Sequence, residues 1–263
     1  MSSDNKKFAA ISLDLESDHA GRIPESFEGW EISKISRLFK LLEKYQVVLN
    51  IFVVGNTLEK NRRIIKFIFN KKVKFYLHSF SHNLSDPDSK IEIRKGIKEF
   101  HKFFKKRPVG YRAPEGRISR EGIIALKQNG FLFDSSVFPS FFPNLRYFFY
   151  PRNIYSPIEK FTEIPITTIG KLRMIFSLSW VKLFGWRIYH FLITKYRLPN
   201  NVLFNFHLHD LYMLSCTKKL PLFWKIVYMR NRSKGIKYLE KTLKFLRDNN
   251  YKFVDLNTFL NTT

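Results

Sequence analysis

Short apolar runs alternate along the chain with stretches whose apolar positions recur every three or four residues, the pattern of strands and helices in succession. Phe8 to Leu13 reads as a buried strand, and Trp30 to Tyr45 as an amphipathic helix carrying Ile32, Ile35, Leu38, Phe39 and Leu42 on one face. A second buried strand over Val47 to Gly55, a helix over Leu58 to Asn70 and a third strand over Val73 to Leu77 follow. Lys90 to Lys106 is a basic amphipathic helix, and Pro108 and Pro114 bracket a short β run and the loop after it. Ser119 is placed to cap a helix that runs to Asn129 and stops at Gly130. Phe131 to Phe133, Phe161 to Thr168, Val202 to Phe206 and Tyr251 to Val254 read as further strands, with a last helix from Ser233 to Asp248. This alternation predicts an α/β fold with a parallel sheet or barrel, and with no internal repeat or linker the 263 residues read as one domain.

Two stretches break the pattern. Val137 to Pro157 is aromatic, proline-bearing and aperiodic, a long loop expected over the mouth of a site. Met174 to Ile193 is apolar and aromatic, but Lys182, Arg187 and His190 interrupt it and argue against a membrane span. It reads either as a barrel helix with a wide apolar face or as a basic, aromatic, membrane-proximal insertion spanning about residues 171–197. In the second reading it lies on a membrane surface between Lys171, Arg173, Lys195 and Arg197. Leu214 to Arg232, again basic and aromatic, extends the same surface.

Charge sharpens that choice. Lys and Arg number 46 against 22 Asp and Glu, a formal +24, which calls for an acidic partner: nucleic acid, anionic lipid or an acidic glycan. No recognised nucleic-acid motif is present and the basic residues are spread over many helices, so no nucleic acid is expected. The sole cysteine, Cys216, excludes an intrachain disulfide and reads as a small apolar filler. With no apolar stretch of signal-peptide length ahead of the first strand, the expectation is a cytoplasmic protein, peripheral on the inner face of the membrane.

The strand ends carry the chemistry. Asp14, Glu16 and Asp18 follow the first strand, His78 and His82 the third, and Arg112, Asp134 and then His207 with His209 follow later ones. In parallel α/β sheets and barrels this edge is where sites are built. Two imidazoles and one carboxylate can hold a divalent ion while leaving positions open, as a catalytic centre requires. A separate carboxylate and a separate histidine can then serve as base and acid, with Arg112 keeping the base ionised and Asp134 orienting Arg112 or the acid histidine.

Five segments in this order, Leu13-Asp14-Leu15-Glu16, His78-Ser79-Phe80-Ser81-His82, Arg112-Ala113-Pro114-Glu115-Gly116, Asp134-Ser135-Ser136 and Phe206-His207, resemble the motifs of polysaccharide deacetylases, carbohydrate esterase family 4. The likeness runs from about Ile11 to the closing strand. Asp134-Ser135-Ser136 and Glu163-Ile164-Pro165 are also similar to the branch found with surface polysaccharides. The resemblance implies a distorted, incomplete (β/α) barrel and hydrolysis of an N-acetyl or related N-acyl group on a sugar of a glycan or lipid-linked glycan precursor. It further implies Asp14 as general base, His78 and His82 as ligands, His207 as general acid, Arg112 tuning Asp14, and Asp134 supporting the catalytic pair. Many members carry two adjacent aspartates in the first motif. Here Leu15 follows Asp14, so the carboxylate ligand is Glu16, two positions on and on the same side of an extended chain, or else Asp18. His209 shares that relation with His207 and is the other candidate acid. Zinc is the expected ion, with cobalt, nickel, manganese or iron compatible with the set. The departure in the first motif motivates a second expectation, a catalytically inactive glycan- or membrane-binding protein on the same fold.

Overall fold

A computed structural model describes residues 6–16, 30–142, 145–212 and 221–261 as a curved, mostly parallel sheet ringed by helices. Asp18 and Cys216, both singled out above, lie outside these residues. The strands are β1 (Lys7–Leu15), β2 (Leu49–Val53), β3 (Val73–Leu77), β4 (Gly110–Tyr111), β5 (Phe133–Asp134), β6 (Tyr155–Ile158), β7 (Phe161–Glu163), β8 (Thr168–Ile169), β9 (Met174–Ile175), β10 (Asn201–His207) and β11 (Tyr251–Phe253). The helices are α1 (Ile32–Lys44), α2 (Thr57–Lys60), α3 (Arg62–Phe69), α4 (Lys90–Phe104), α5 (Arg120–Gln128), α6 (Leu178–Phe184), α7 (Trp186–Tyr196), α8 (Leu208–Leu211), α9 (Leu222–Met229), α10 (Gly235–Asp248) and α11 (Leu256–Leu260).

From neighbour to neighbour the main sheet runs β10, β1, β2, β3, β4, β5, β7, β6, and β11 pairs with Lys7 to Ala9 of β1. Only the β6–β7 pairing is antiparallel, so the strands that carry the candidate residues end at one edge. The two outermost strands, β6 and β10, do not pair. The chain after β7 spans the gap: Ile166 N donates to Val137 O (3.0 Å), Thr167 N donates to Leu203 O (3.2 Å), and Ser177 bridges to Asn205. The result is the expected distorted, incomplete (β/α) barrel.

Strand periodicity divides the interior in two. Ile11, Leu13 and Leu15 of β1 point outward into the helical shell with Leu38 and Leu42 of α1, whereas Ala10 points inward to Phe52, Tyr76, Phe133 and Leu203. Leu256 and Phe259 of α11 complete this inner apolar floor. Above the floor the inward positions of β1 and β10 turn polar, through Ser12 and Asn205 to Asp14 and His207, with His78 beside them after β3, while Asn50 of β2 lies at the floor and accepts from Leu256 N at 2.9 Å. One alternation thus sets both the packing and the site.

Several segments differ from the sequence expectation. The helix expected over Leu58 to Asn70 is two, α2 and α3, joined at Asn61. The loop expected over Val137 to Pro157 holds a 3₁₀ turn at Leu145–Phe149 and ends in β6. Thr168, expected at the end of one long strand, begins a separate hairpin with β9. Ser119 caps α5 as expected, accepting from Gly122 N at 2.9 Å. Ser233 does not cap α10, which starts at Gly235 after a 3₁₀ turn. Gly235 is required there: a Cβ would stand 1.9 Å from the Asp210 carbonyl oxygen. Met174 to Ile193 is not one helix. Gly185, at φ +90°, separates α6 from α7, and Phe176, Leu178, Val181, Tyr189 and Ile193 all join the main core. Among the described residues no helix is long and apolar enough to cross a membrane.

Candidate active site

Parallel register brings the strand ends together. Asp14 lies level with His207 on one side and with Phe52 on the other, and Leu77 with Tyr111, so that His78 and Arg112 leave adjacent strands side by side. His78 and Arg112 are fastened to each other: His78 Nδ1 lies 2.7 Å from the Arg112 carbonyl. A carbonyl only accepts, so Nδ1 carries the proton and Nε2 keeps its lone pair. Burial drops the His78 pKa to about 4, more than the nearby carboxylates raise it, and the ring is neutral as a ligand must be.

The turn after β3 is held in an unusual backbone shape. Ser79 and His82 both take positive φ, 56° and 60°, without being glycine. Their surroundings enforce it: Ser79 Oγ accepts from His82 N (3.1 Å), and the Glu92 carboxylate of α4 accepts from Phe80 N (3.2 Å), Ser81 N (2.8 Å) and Ser81 Oγ (2.8 Å). The turn therefore delivers the His82 ring opposite β1. There His82 Nε2 lies 2.7 Å from Glu16 Oε2.

Glu16, His78 and His82 each offer one ligand atom within 4.8 Å of the other two, and all three are buried. Burial resists ionisation of Glu16, but His82 outweighs it and the carboxyl is held well below its usual range. Its Oε1 is buried without a hydrogen-bond partner. An anionic oxygen in that state, beside two imidazoles, fits a divalent cation.

Asp14 stands outside this trio and is engaged differently. Its Oδ1 accepts from Arg112 Nη1 at 2.6 Å and its Oδ2 from Asn205 Nδ2 at 3.0 Å. Burial would raise its pKa, but the Arg112 guanidinium, helped by His78 and His207, lowers it below the ordinary value. Arg112 is itself fixed by the Ser135 carbonyl (2.9 Å), Ser135 Oγ (2.9 Å), Ser12 Oγ (3.1 Å) and Asn205 Oδ1 (2.9 Å), and it lies 4.0 Å over the Phe52 ring.

His207 faces the carboxylates from β10. Its Nε2 is 3.6 Å from Asp14 Oδ2 and 3.8 Å from Glu16 Oε1, and at 24% side-chain exposure it is the open member of the group. Asp210 holds its other side: Oδ2 accepts from His207 N at 3.0 Å and lies 3.3 Å from His207 Nδ1. Burial alone would strip the His207 proton. Asp210, Glu16 and Asp14 reverse that and lift the pKa to about 9. The sequence reading put His209 beside His207 on an extended strand. In the structure β10 ends at His207, and His209, on the first turn of α8, stacks flat on the His207 ring at 4.6 Å.

Asp134, expected to orient Arg112 or the acid histidine, reaches neither. Sheet register sets it against Glu163 of β7, and it accepts from Ser136 Oγ (2.7 Å) and Ser136 N (3.2 Å). Ser136 Oγ in turn accepts from Ala113 N (2.7 Å), so Asp134 braces the loop that carries Arg112. Burial and the Asp134 charge push Glu163 well above the carboxylate range, making it the protonated partner.

His207, His209 and Asp210 also have ligand atoms within 4.8 Å of one another. That group is a poorer cation site. Asp210 Oδ2 already accepts from Ser179 Oγ (2.8 Å), and the buried Lys182 ammonium lies 3.7 Å from Oδ1. A divalent ion there would sit beside a positive charge, whereas nothing cationic but imidazole borders Glu16 within salt-bridge distance among the described residues. Lys182, read from sequence as a polar interruption of an apolar helix, is thus the buried counter-ion of Asp210.

Glu92, Asn205 and Asp210 were given no role from sequence, and Ser135 was named only as part of the Asp134-Ser135-Ser136 segment. Asn205 was findable, being the one polar residue in the apolar run Val202 to Phe206 and two positions before His207, hence on its side of the strand.

Residues 28–133 match the family model described as Polysaccharide deacetylase, a span that includes both histidines of the trio and Arg112. A curated relative, the peptidoglycan deacetylase-like protein FGM2 of Gibberella zeae, is 31% identical over 109 residues, 39% of this chain and 32% of that protein. The match thus spans about a third of the length of that relative. Among solved structures, a Mycobacterium smegmatis protein assigned as a polysaccharide deacetylase superposes with a TM-score of 0.64 at 16% identity, over 100% of this chain and 92% of its own. A peptidoglycan N-acetylglucosamine deacetylase gives 0.57 at 14%, over 97% and 88%. A CE4 family pseudoenzyme from Bacillus anthracis gives 0.54 at 12%, over 97% and 66%. Over residues 28–133 the chain is thus similar to polysaccharide deacetylases, and over its length it has the fold of these solved structures.

Proposed function

We propose that this protein is a metal-dependent hydrolase that removes an N-acetyl, or related N-acyl, group from a sugar of a glycan or lipid-linked glycan. One observation carries the reading: a carboxylate kept ionised by Arg112 stands beside, and outside, a buried Glu16–His78–His82 trio, with a protonated histidine 3.6 Å away. Glu16, His78 and His82 would hold the ion, zinc by default, with cobalt, nickel, manganese or iron accepted by the same donors. Bound there, it would supply Lewis acidity toward the amide carbonyl and lower the pKa of a water.

The chain's own residues divide the proton work. Asp14 Oδ1 is taken up by Arg112, which leaves Oδ2, on the His207 side, to accept the proton of the attacking water. The water oxygen bonds the carbonyl carbon, and the C–N bond breaks as His207 Nε2 gives its proton to the departing nitrogen. Products are the free acid and the sugar amine. Asp210 keeps Nδ1 occupied, so that Nε2 is the proton that leaves.

Release of amine from N-acetylated sugar oligomers on adding Zn²⁺ or Co²⁺ to chelator-stripped protein, and no release from the His78→Ala variant, is the expected result; turnover that ignores both chelation and that substitution would reject the reading. A pseudoenzyme on this fold favours the inactive alternative. Glycan binding without amine release under every metal would support it.

Asp210 gives a separate prediction. The alkaline limb of kcat follows loss of the His207 proton, at or below pH 9 because a bound cation offsets the Glu16 and Asp14 share of the field. Asp210→Asn removes the remaining anion, lowers the histidine pKa and should move that limb to lower pH. A limb that stays in place would remove Asp210 from this role.

The +24 charge supports a lipid-linked substrate, met by a peripheral protein at the cytoplasmic face of an anionic membrane.

A further inference from the structure

The cavity over the catalytic residues encloses about 160 Å³, enough for the reacting end of a substrate. It does not stop at them. On the β10 side it continues along a wall of rings lined by Phe142, Trp180, Phe223 and Trp224. Phe142 lies 5.6 Å from Trp180, 6.1 Å from Phe223 and 6.0 Å from Trp224. Trp224 stacks on Tyr228 at 5.9 Å, Tyr228 meets His209 edge-on at 4.7 Å, and His209 stacks on His207. Rings therefore run without a gap from the proton-donating histidine to the surface. At the outer end α9 leaves Leu222, Phe223 and Ile226 at 74, 54 and 52% exposure.

Those three side chains cannot bond a sugar hydroxyl, so this end of the wall suits hydrocarbon better than glycan. The segments that build this side are one-sided in sequence charge. The whole chain has about two basic residues per acid, but residues 164–239, which supply β10 and α6 to α9, hold thirteen Lys and Arg and one acid, Asp210, which is buried with one of the thirteen, Lys182, beside it. Residues 138–158, which supply Phe142, add two Arg and no acid. Lys225 lies on α9 between the exposed apolar positions, on the exposed side of the helix.

We propose that this wall is a subsite for a hydrocarbon chain that the substrate carries on an anionic link, so that the N-acylated sugar is presented as the head of an amphiphile. The proposal rests on the hydrolase reading above and names the part of its substrate that lies beyond the sugar. The chain seats along Phe142, Phe223 and Ile226, and the anion faces the basic rim.

The test compares one N-acetylated sugar carried as its methyl phosphate and as its dodecyl phosphate, the latter below its micelle concentration. Each pair of methylenes seated is worth roughly tenfold, so kcat/KM should rise at least that much with the longer chain. In F223S/I226S the ratio should fall towards one; both positions are half exposed, so the changes spare the core. Tryptophan quenching by 12-bromododecyl phosphate, greater than by bromoethyl phosphate and reduced in W224F, reads occupancy without turnover. If no substrate is cleaved but quenching follows this pattern, the hydrolase reading fails and the subsite stands. Three results overturn the subsite: equal kcat/KM for both phosphates together with equal quenching; a gain from added sugar units with none from added methylenes; or a gain only when the substrate is embedded in anionic vesicles, which would make the wall a bilayer contact.

Discussion

An Asp14→Asn variant is expected to fold, retain its metal and lose about 10²- to 10⁴-fold in kcat, the range that general acid–base groups command. Asparagine keeps the shape of the side chain and Arg112 keeps Ser12, Ser135 and Asn205 as acceptors, but the new amide meets a donor in Arg112 or Asn205 and the Arg112 charge loses its counter-ion, so the variant folds with reduced stability. What disappears is the basicity of Oδ2. Because Asp14 stands apart from Glu16, His78 and His82, metal content should match the wild type. Kinetics and metal stoichiometry on the same preparation check both halves. Loss of the ion together with activity would move Asp14 among the ligands, and unchanged turnover would end its role as base.

The largest effect on stability is expected at Arg112→Met. The guanidinium is fully buried, reaches strands β1 and β10 and the segment after β5 at once, and neutralises Asp14. Removing one partner of a buried pair strands the other and typically costs about 3–5 kcal/mol. That is a large share of the roughly 5–15 kcal/mol by which domains are stable. Methionine fills the volume over Phe52 but leaves Asp14 without the cation that offsets its burial. The Asp14 pKa then rises, and any residual activity should disappear at a higher pH on the acid side. Lysine should rescue little, since a point charge cannot reproduce the fork between Asp14, Asn205 and the Ser135 carbonyl. Urea unfolding measures the loss; a change below about 1 kcal/mol would contradict this account of the pair.

The alternation of strands and helices, and the edge at which the polar residues gather, were legible because buried parallel strands and amphipathic helices carry different periods. The same period of two placed Asp14 and Glu16 on one side of β1. What escaped the sequence reading lies where local pattern stops governing geometry. The turn from His78 to His82 takes its shape from Glu92 on a later helix. β5 is two residues long, too short to announce the register that sets Asp134 against Glu163. The chain changes from strand to helix at His207, so an extended reading carried His209 along the strand when it folds back onto the ring beside it. That same change swings Asp210 under His207, and Lys182 turns inward to meet it. For the apolar segment from Met174 to Ile193 the barrel-helix alternative was legible in its wide apolar face, but the break at Gly185, which divides it into two helices that both join the core, was not.

The central claim is that one cation is shared by Glu16, His78 and His82. Anomalous scattering at the metal's absorption edge, from crystals grown with Zn²⁺ or Co²⁺, tests it most directly. The expected peak lies within coordination distance of those three side chains, with Asp14 beside it and uncoordinated. A peak on Asp18, or among His207, His209 and Asp210, or no peak at any of these positions, would contradict it.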